Sequence, residues 1–162
     1  MRSIQAIPQK IYKLVELQRQ AERWRLQNRR IVFTNGVFDI LHEGHIASLS
    51  EAASFGYVLI VGVNADASVK RLKGDSRPVN NEHSRSLLLA SLIMTDAVII
   101  FEEDTPLELI KALLPDVLVK GGDYTLEQIV GAKEVMANGG EVQIVPILEG
   151  FSTTGIIERM RR

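Results

Sequence analysis

Apolar residues recur along this chain in two rhythms. Five short runs are apolar almost throughout: "IVFT" (31–34), "YVLIVGV" (57–63), "AVIIF" (97–101), "VLVK" (117–120) and "EVQIVPI" (141–147). Their length and their Val, Ile and Phe content predict strands, and a run without polar alternation, such as 57–63, predicts a strand covered on both faces. Between the runs, apolar residues sit three and four apart, the spacing of a helix with one buried stripe. Helices are predicted at "HIASLSEAASF" (45–55), stopped by Gly56, at "EHSRSLLLASLI" (82–93), at "TPLELIKALL" (105–114), within 121–140, and from "STTGIIERM" (152–160). A further amphipathic helix is predicted within 11–30, with Ile11, Leu14, Val15, Ala21 and Trp24 on its apolar side. The stretch "NADASVKRLKGDSRPVNN" (64–81) is polar and holds Gly and Pro, which predicts a long loop.

Strand and helix alternate. That order predicts βαβ units, hence a Rossmann-like α/β fold: a parallel five-stranded sheet with helices on both faces. No repeat, low-complexity tract or linker divides the chain. One domain over 1–162 is expected, with 1–30 as an N-terminal amphipathic helical segment and 31–162 as the α/β core. In such sheets a ligand binds beyond the carboxyl ends of the strands, where the strand order reverses. Polar segments follow four of the strands: "TNGVFD", "NAD", "KGGDY" and "EGFSTT".

Composition narrows the chemistry. The 162 residues suffice for one domain with its own core, and 46% hydrophobic with 24% charged residues is ordinary for a globular protein. A formal net charge of −1 gives no global pull on nucleic acid or an anionic membrane, so neither is an expected partner. There is no cysteine, which excludes disulfides, thiolate nucleophiles and cysteine–zinc sites and fits a cytoplasmic location. No apolar run reaches the length of a bilayer span, and the N-terminus lacks the apolar centre of a secretory signal. The N-terminal helix is expected to pack against the domain or against a partner subunit, which leaves a homo-oligomer open.

The familiar nucleotide signatures are missing. There is no GxxxxGK[ST], and no GxGxxG follows the first strand. "TNGVFDILHEGH" stands there instead, with two of the chain's three histidines, His42 and His45. A helix start offers free N–H groups and a positive dipole end, and two imidazoles three residues apart add donors aimed at one anion. Phosphate binding is therefore the leading reading. Two others stand beside it: a zinc pair, which would need a third ligand, and a structural pair at a helix start. The segment 69–78 gathers Lys70, Arg71, Lys73 and Arg77 beside a single acid, Asp75. It reads either as a solvated charged loop or as a mobile cationic loop that closes on a polyphosphate. Ser152, Thr153 and Thr154 open the last helix, where one of them caps it and the three together make a second phosphate cradle plausible.

His42-Glu43-Gly44-His45 after the first strand, with "STT" opening the last helix, resembles the cytidylyltransferase-like nucleotidyltransferase superfamily, which pairs HxGH with a late "ISTT" segment. Within it, "RLKGDSRPVN", "FEEDTP", "LVKGGDY", "KEVMANGGEV" and "STTGII" look like the heptose 1-phosphate adenylyltransferase branch, over roughly residues 30 to 158. Nothing resembles a sugar kinase, so the transferase alone is expected. The likeness implies transfer of AMP from ATP to D-glycero-β-D-manno-heptose 1-phosphate, giving ADP-heptose and pyrophosphate by in-line attack without a covalent intermediate. It implies Mg²⁺ brought in by ATP, with no metal ligand from the protein. His42, His45 and Lys73 are the implied catalytic residues, with Lys70 the alternative to Lys73. The nucleotide falls to Thr34, Asn35, Gly36, Phe38, Gly44, Lys120, Gly121, Gly122, Asp123, Ser152, Thr153 and Thr154. Asp39, Lys70, Arg77 and Arg85 are left for the sugar phosphate. Three positions depart from the pattern. Ile147 stands where glycerol-phosphate-type cytidylyltransferases carry an arginine; His83 and Ser84 precede Arg85 in place of Glu-Gln; and Phe151 opens the last motif, where it should touch the nucleotide pocket or the sheet. The rival readings are a cytidylyltransferase acting on glycerol 3-phosphate and a nucleotide-binding module without turnover.

Overall fold

A computed structural model describes residues 5–148 and 150–160. Five parallel strands, β1 (Ile31–Gly36), β2 (Val58–Asn64), β3 (Ala97–Phe101), β4 (Val117–Gly121) and β5 (Glu141–Val145), lie in the order β3-β2-β1-β4-β5. The Rossmann-like expectation holds. The chain winds outward from β1 to β3, then returns to the other side of β1 for β4, so the strand order reverses between β1 and β4.

Alternation along each strand sorts the core into two layers. Ile31 and Phe33 of β1 and Val58 and Ile60 of β2 meet α1 (Leu14–Leu26), α5 (Leu107–Leu113) and α6 (Ala132–Ala137) through Trp24, Ile110 and Val135. Val32 of β1 and Leu59 and Val61 of β2 face the other way, against Leu49 and Ala52 of α2 (Glu43–Ser54) and Leu89 and Ala90 of α4 (Glu82–Ser91). Two carboxylates start the strands. The N–H of Ile31 donates to Asp116 Oδ2 at 2.7 Å and that of Leu59 to Asp96 Oδ2 at 2.8 Å.

Three expectations change. The stretch 64–81 is not one long loop: Asp66–Lys73 forms helix α3, closed by Gly74 at φ +91°. Its stripe is narrow, Ser68 and Val69 being the buried residues, and hydrogen bonds to distant segments hold it. Ser68 Oγ donates to the Glu103 carbonyl at 3.1 Å, and the N–H of Asp66 donates to Glu82 at 2.7 Å. At the N-terminus the buried stripe of α1 is Leu17, Ala21 and Trp24, whereas Val15 is 58% exposed. Ile11 lies outside that helix, bridged in parallel to Val98, and Val15 sits about 200° round from Leu17 at 100° per residue. The last strand stops at Val145 because Pro146 has no N–H to continue the ladder. Among the described residues no helix is long and apolar enough to cross a membrane.

Candidate functional site

The turn leaving β1 is built around one ring. Phe38 is buried and holds φ at +50°, a left-handed backbone that non-glycine residues rarely adopt. A Cβ on Gly36 would lie 3.0 Å from the Phe38 ring, so the glycine is what lets the ring fold back over the strand end. His42 follows in extended conformation at the N-cap of α2, and His45 is the third residue of that helix.

The two imidazoles stack at 3.8 Å between centroids and 20° between planes. Phe38 meets His45 edge-on at 5.2 Å, and the Phe151 ring lies 6.4 Å from that of His42 with 24° between the planes. Gly44 makes the stack possible: a Cβ there would sit 3.1 Å from His42 Nδ1 and 3.2 Å from the Phe151 Cβ. Both Nδ1 atoms are buried without a hydrogen-bond partner among the described residues. Burial pushes both rings below the ordinary histidine range, and His45 reaches about 4, helped by the charges of His42 and Lys73. Both rings are therefore neutral at pH 7. Each has one N–H to give, and with Nδ1 buried, Nε2 is the nitrogen left for a ligand.

These rings line a cleft of about 370 Å³ beyond the carboxyl ends of β1 and β4, at the point of reversal. Of the nucleotide and catalytic residues expected from sequence, Thr34, Asn35, Gly36, Phe38, His42, Gly44, His45, Lys73, Lys120, Gly121, Ser152, Thr153 and Thr154 are brought together there. Burial lowers the Lys120 pKa, and its ammonium sits 5.4 Å from the centre of the Tyr124 ring. At the start of α7 (Thr153–Met160), Ser152 Oγ accepts the N–H of Gly155 at 3.0 Å, and Thr153 Oγ1 donates to the Ile40 carbonyl at 3.4 Å. Phe151 and Ile147 complete the wall. Ser48 also lines the cleft and was missed. Its position one helical turn after His45 was the available signal.

The other expected residues stand elsewhere. Gly122, at φ +122° behind the Tyr124 ring, and the exposed Asp123 lie off the cleft wall. Lys70 is exposed on α3 and also absent from the wall. Asp39 is 2% exposed, and Arg77 turns inward to it, Nε to Oδ2 at 2.6 Å. Arg85, expected at the sugar phosphate, is completely buried and committed to other groups. Its Nε donates to the Asn80 carbonyl (2.9 Å), Nη1 to the Val37 carbonyl (2.7 Å) and Nη2 to Asp66 Oδ1 (2.7 Å). With no exposed surface and no place on the cleft wall, this guanidinium does not face a ligand in the cleft.

Among the described residues no acidic side chain lines the cleft, and no three His, Asp or Glu side chains gather to hold a metal. The donor set of imidazole, ammonium, hydroxyl and helix N–H suits phosphate oxygens. A divalent ion would fit as a passenger on those oxygens.

Comparison with known proteins agrees with this geometry. The sequence pattern described as cytidylyltransferase-like matches residues 33–159. The bifunctional protein HldE of Koribacter versatilis is 53% identical over 157 residues, covering 97% of this chain and 32% of that protein. The HldE of Hyphomonas neptunium is 59% identical over 140 residues, covering 86% and 29%. The chain thus spans about a third of the length of the curated relatives it matches. Among solved structures, the lipopolysaccharide core biosynthesis protein from Thermoplasma volcanium superposes with a TM-score of 0.59 at 32% identity, covering 74% of this chain and 97% of that one. Pantoate-beta-alanine ligase from Francisella tularensis, at 15% identity and a TM-score of 0.60, shares the fold. The stacked histidine pair at the reversal point and the family pattern running from β1 through α7 meet in one conclusion: this chain belongs to the cytidylyltransferase-like family.

Proposed function

We propose that this chain is a nucleotidyltransferase that moves AMP from ATP to D-glycero-β-D-manno-heptose 1-phosphate, forming ADP-heptose and pyrophosphate in the cytoplasm. The observation that carries the reading is the pair of neutral, stacked imidazoles at the start of α2, facing a cleft that also takes in Lys73 and, among the described residues, holds no carboxylate. A sugar-phosphate oxygen is anionic at neutral pH, so it attacks the α-phosphorus without a general base. The bond from the α-phosphorus to the bridging oxygen breaks, and pyrophosphate leaves with that oxygen. Such a reaction asks the protein for alignment and charge neutralisation, which suits this donor set.

In this reading His42 and His45 hold the phosphates of ATP, with His45 on the α-phosphoryl group. Lys73 neutralises charge from across the cleft, and the start of α7 takes the β- and γ-phosphates. Lys120 and Gly121 border the base and ribose. Mg²⁺ supplies further neutralisation when it arrives on the nucleotide. The sugar is supported by the likeness to the heptose branch, by the HldE relatives and by a neighbour described as a lipopolysaccharide core biosynthesis protein. Ile147 on the cleft wall, in place of an arginine, favours ATP over CTP.

The test is pyrophosphate release with Mg²⁺, offering ATP or CTP against the heptose phosphate and glycerol 3-phosphate. Turnover with ATP and the heptose phosphate alone is expected. CTP turnover would move the chain to the glycerol-phosphate branch, and ATP binding without release under any pairing would make it a binding module.

A further inference from the structure

We infer that Asp39 is a positioning residue, whose carboxylate fixes the distance between the histidine-bearing turn and the segment that carries Lys73. The inference rests on the proposed role of Lys73 in phosphate handling.

Asp39 sits in the turn between Phe38 and His42, and every polar bond it makes crosses to one segment. Oδ2 accepts from Arg77 Nε at 2.6 Å, and Oδ1 accepts the N–H groups of Val79 (2.8 Å) and Asn80 (2.9 Å). Its own carbonyl accepts from Asn80 Nδ2 at 2.6 Å. The Asp39 side chain is 1% exposed and that of Arg77 is 12% exposed, and neither lines the cleft. Burial by itself would raise the pKa of this carboxyl. The two N–H groups and the guanidinium outweigh it and hold the group below its ordinary range.

A second clamp holds the other end of the same segment. Asp66, in the first turn of α3, accepts from Arg85, and Arg85 also donates to Val37 of the histidine turn and to Asn80. Between the clamps, residues 70–76 are exposed, and Gly74 has open space around it. Arg71 is tied to Asp104 and to the Glu102 carbonyl, so the result is a tongue with two fixed ends and a free tip at 72–76. Lys73 is the last residue of α3, at the edge of that tip, and its charge already bears on His45. Removal of the Asp39 charge leaves Arg77 and two N–H groups poorly matched. One end of the tongue is then released, and Lys73 spends less time over the cleft.

The experiment is a double-mutant cycle on turnover, with kcat and KM measured for Asp39→Asn, Lys73→Ala and the pair, alongside Tm. Asp39→Asn should lower kcat by roughly tenfold or more, the scale of a reacting group misplaced by under 1 Å, with both KM values within about twofold. In the Lys73→Ala background the same change should cost less than about twofold, because the group it positions is gone. Arg77→Gln, which leaves both N–H bonds on Asp39, serves as the milder second variant if Asp39→Asn folds poorly, and the same cycle applies. A raised KM for the sugar phosphate with kcat intact would overturn the inference in favour of a substrate contact. Full additivity with a slow Lys73→Ala would overturn it alone, as a merely structural effect. Full turnover by Lys73→Ala would remove the role of the lysine, and the inference with it.

Discussion

Neutrality is the chemical property that sets the histidine pair apart. An imidazolium would bind phosphate more strongly, but two charged rings stacked at 3.8 Å would repel each other, and burial already opposes the charge. Neutral rings with N–H groups fixed in place need no rearrangement as negative charge builds on the α-phosphoryl group, which is how preorganised donors lower a barrier. Loss of one such donor typically costs about 10²–10³ in kcat. His45→Ala should therefore lose at least about a hundredfold in kcat while its circular dichroism and Tm stay near those of the parent. Near-normal turnover would remove His45 from the chemistry. The depressed pKa has a second consequence. The unfolded chain takes up a proton at its histidines near pH 6.5, whereas folded His45 does so only near about 4. Between those values the unfolded state holds more protons, so stability falls as pH falls through the window, by up to ~3 kcal/mol at 1.36 kcal/mol per pH unit. His42 shifts in the same direction. Urea denaturation at pH 7, 6, 5 and 4.5 should show this slope, and His45→Asn should flatten it. An unchanged slope in the variant would assign the acid sensitivity to other groups.

At the scale of elements, local pattern and long-range bonding contributed unequally to what could be read in advance. The five strands were legible because each is a short run rich in Val, Ile, Leu or Phe, and their alternation with helices pointed to the fold class. The turn at Asn35-Gly36 and the HEGH motif were legible because glycine and paired histidine carry meaning without knowledge of their neighbours. Helix α3 was hidden because "DASVKRLK" has almost no apolar stripe; it is held by Asp66, Ser68 and Arg71 bonding to residues 16 to 35 positions away. Asp39 and Arg85 are expected at the substrate because sequence shows charge and not burial, and the structure buries both. The bonds that Arg85 makes have a measurable size. Arg85→Met would leave the carbonyls of Val37 and Asn80 without a donor and Asp66 without its cation. Each unpaired acceptor costs about 1–3 kcal/mol, and a broken buried ion pair costs about 3–5 kcal/mol. Asp66 remains partly exposed and can turn to water, so a net loss of ~3 kcal/mol is expected. The urea midpoint should fall by about 1 M or more with the m-value unchanged. A shift of a few tenths of molar would mean that water replaces all three bonds.

The whole molecule brings together what the chain keeps far apart. Strand order 3-2-1-4-5 sets β1 beside β4, so one cleft receives the histidine turn, the tip of α3, the end of β4 and the start of α7. These parts are not equally secured. The turn after β1 is anchored by Phe38 and by the Asp39 clamp, and α1 is buried along Leu17, Ala21 and Trp24. Helix α7 has no buried residue. Its start is held by Phe151 over His42 and by the Thr153 bond to Ile40. Segments with few buried contacts open at low free-energy cost, and a ligand that bridges such a segment to the rest slows the opening. A nonhydrolysable ATP analogue with Mg²⁺ spans from His45 to Ser152 in the proposed mode. It should slow amide exchange most at 151–157, next at 42–48 and 70–76, and leave 17–24 unchanged. Protection at 42–48 without any at 151–157 would mean that α7 does not take the β- and γ-phosphates, and uniform protection would point to global stabilisation. Because α7 has no buried residue, ordering it on the nucleotide is, in the proposed mode, also the step at which this fold would couple binding of ATP to closure of the cleft.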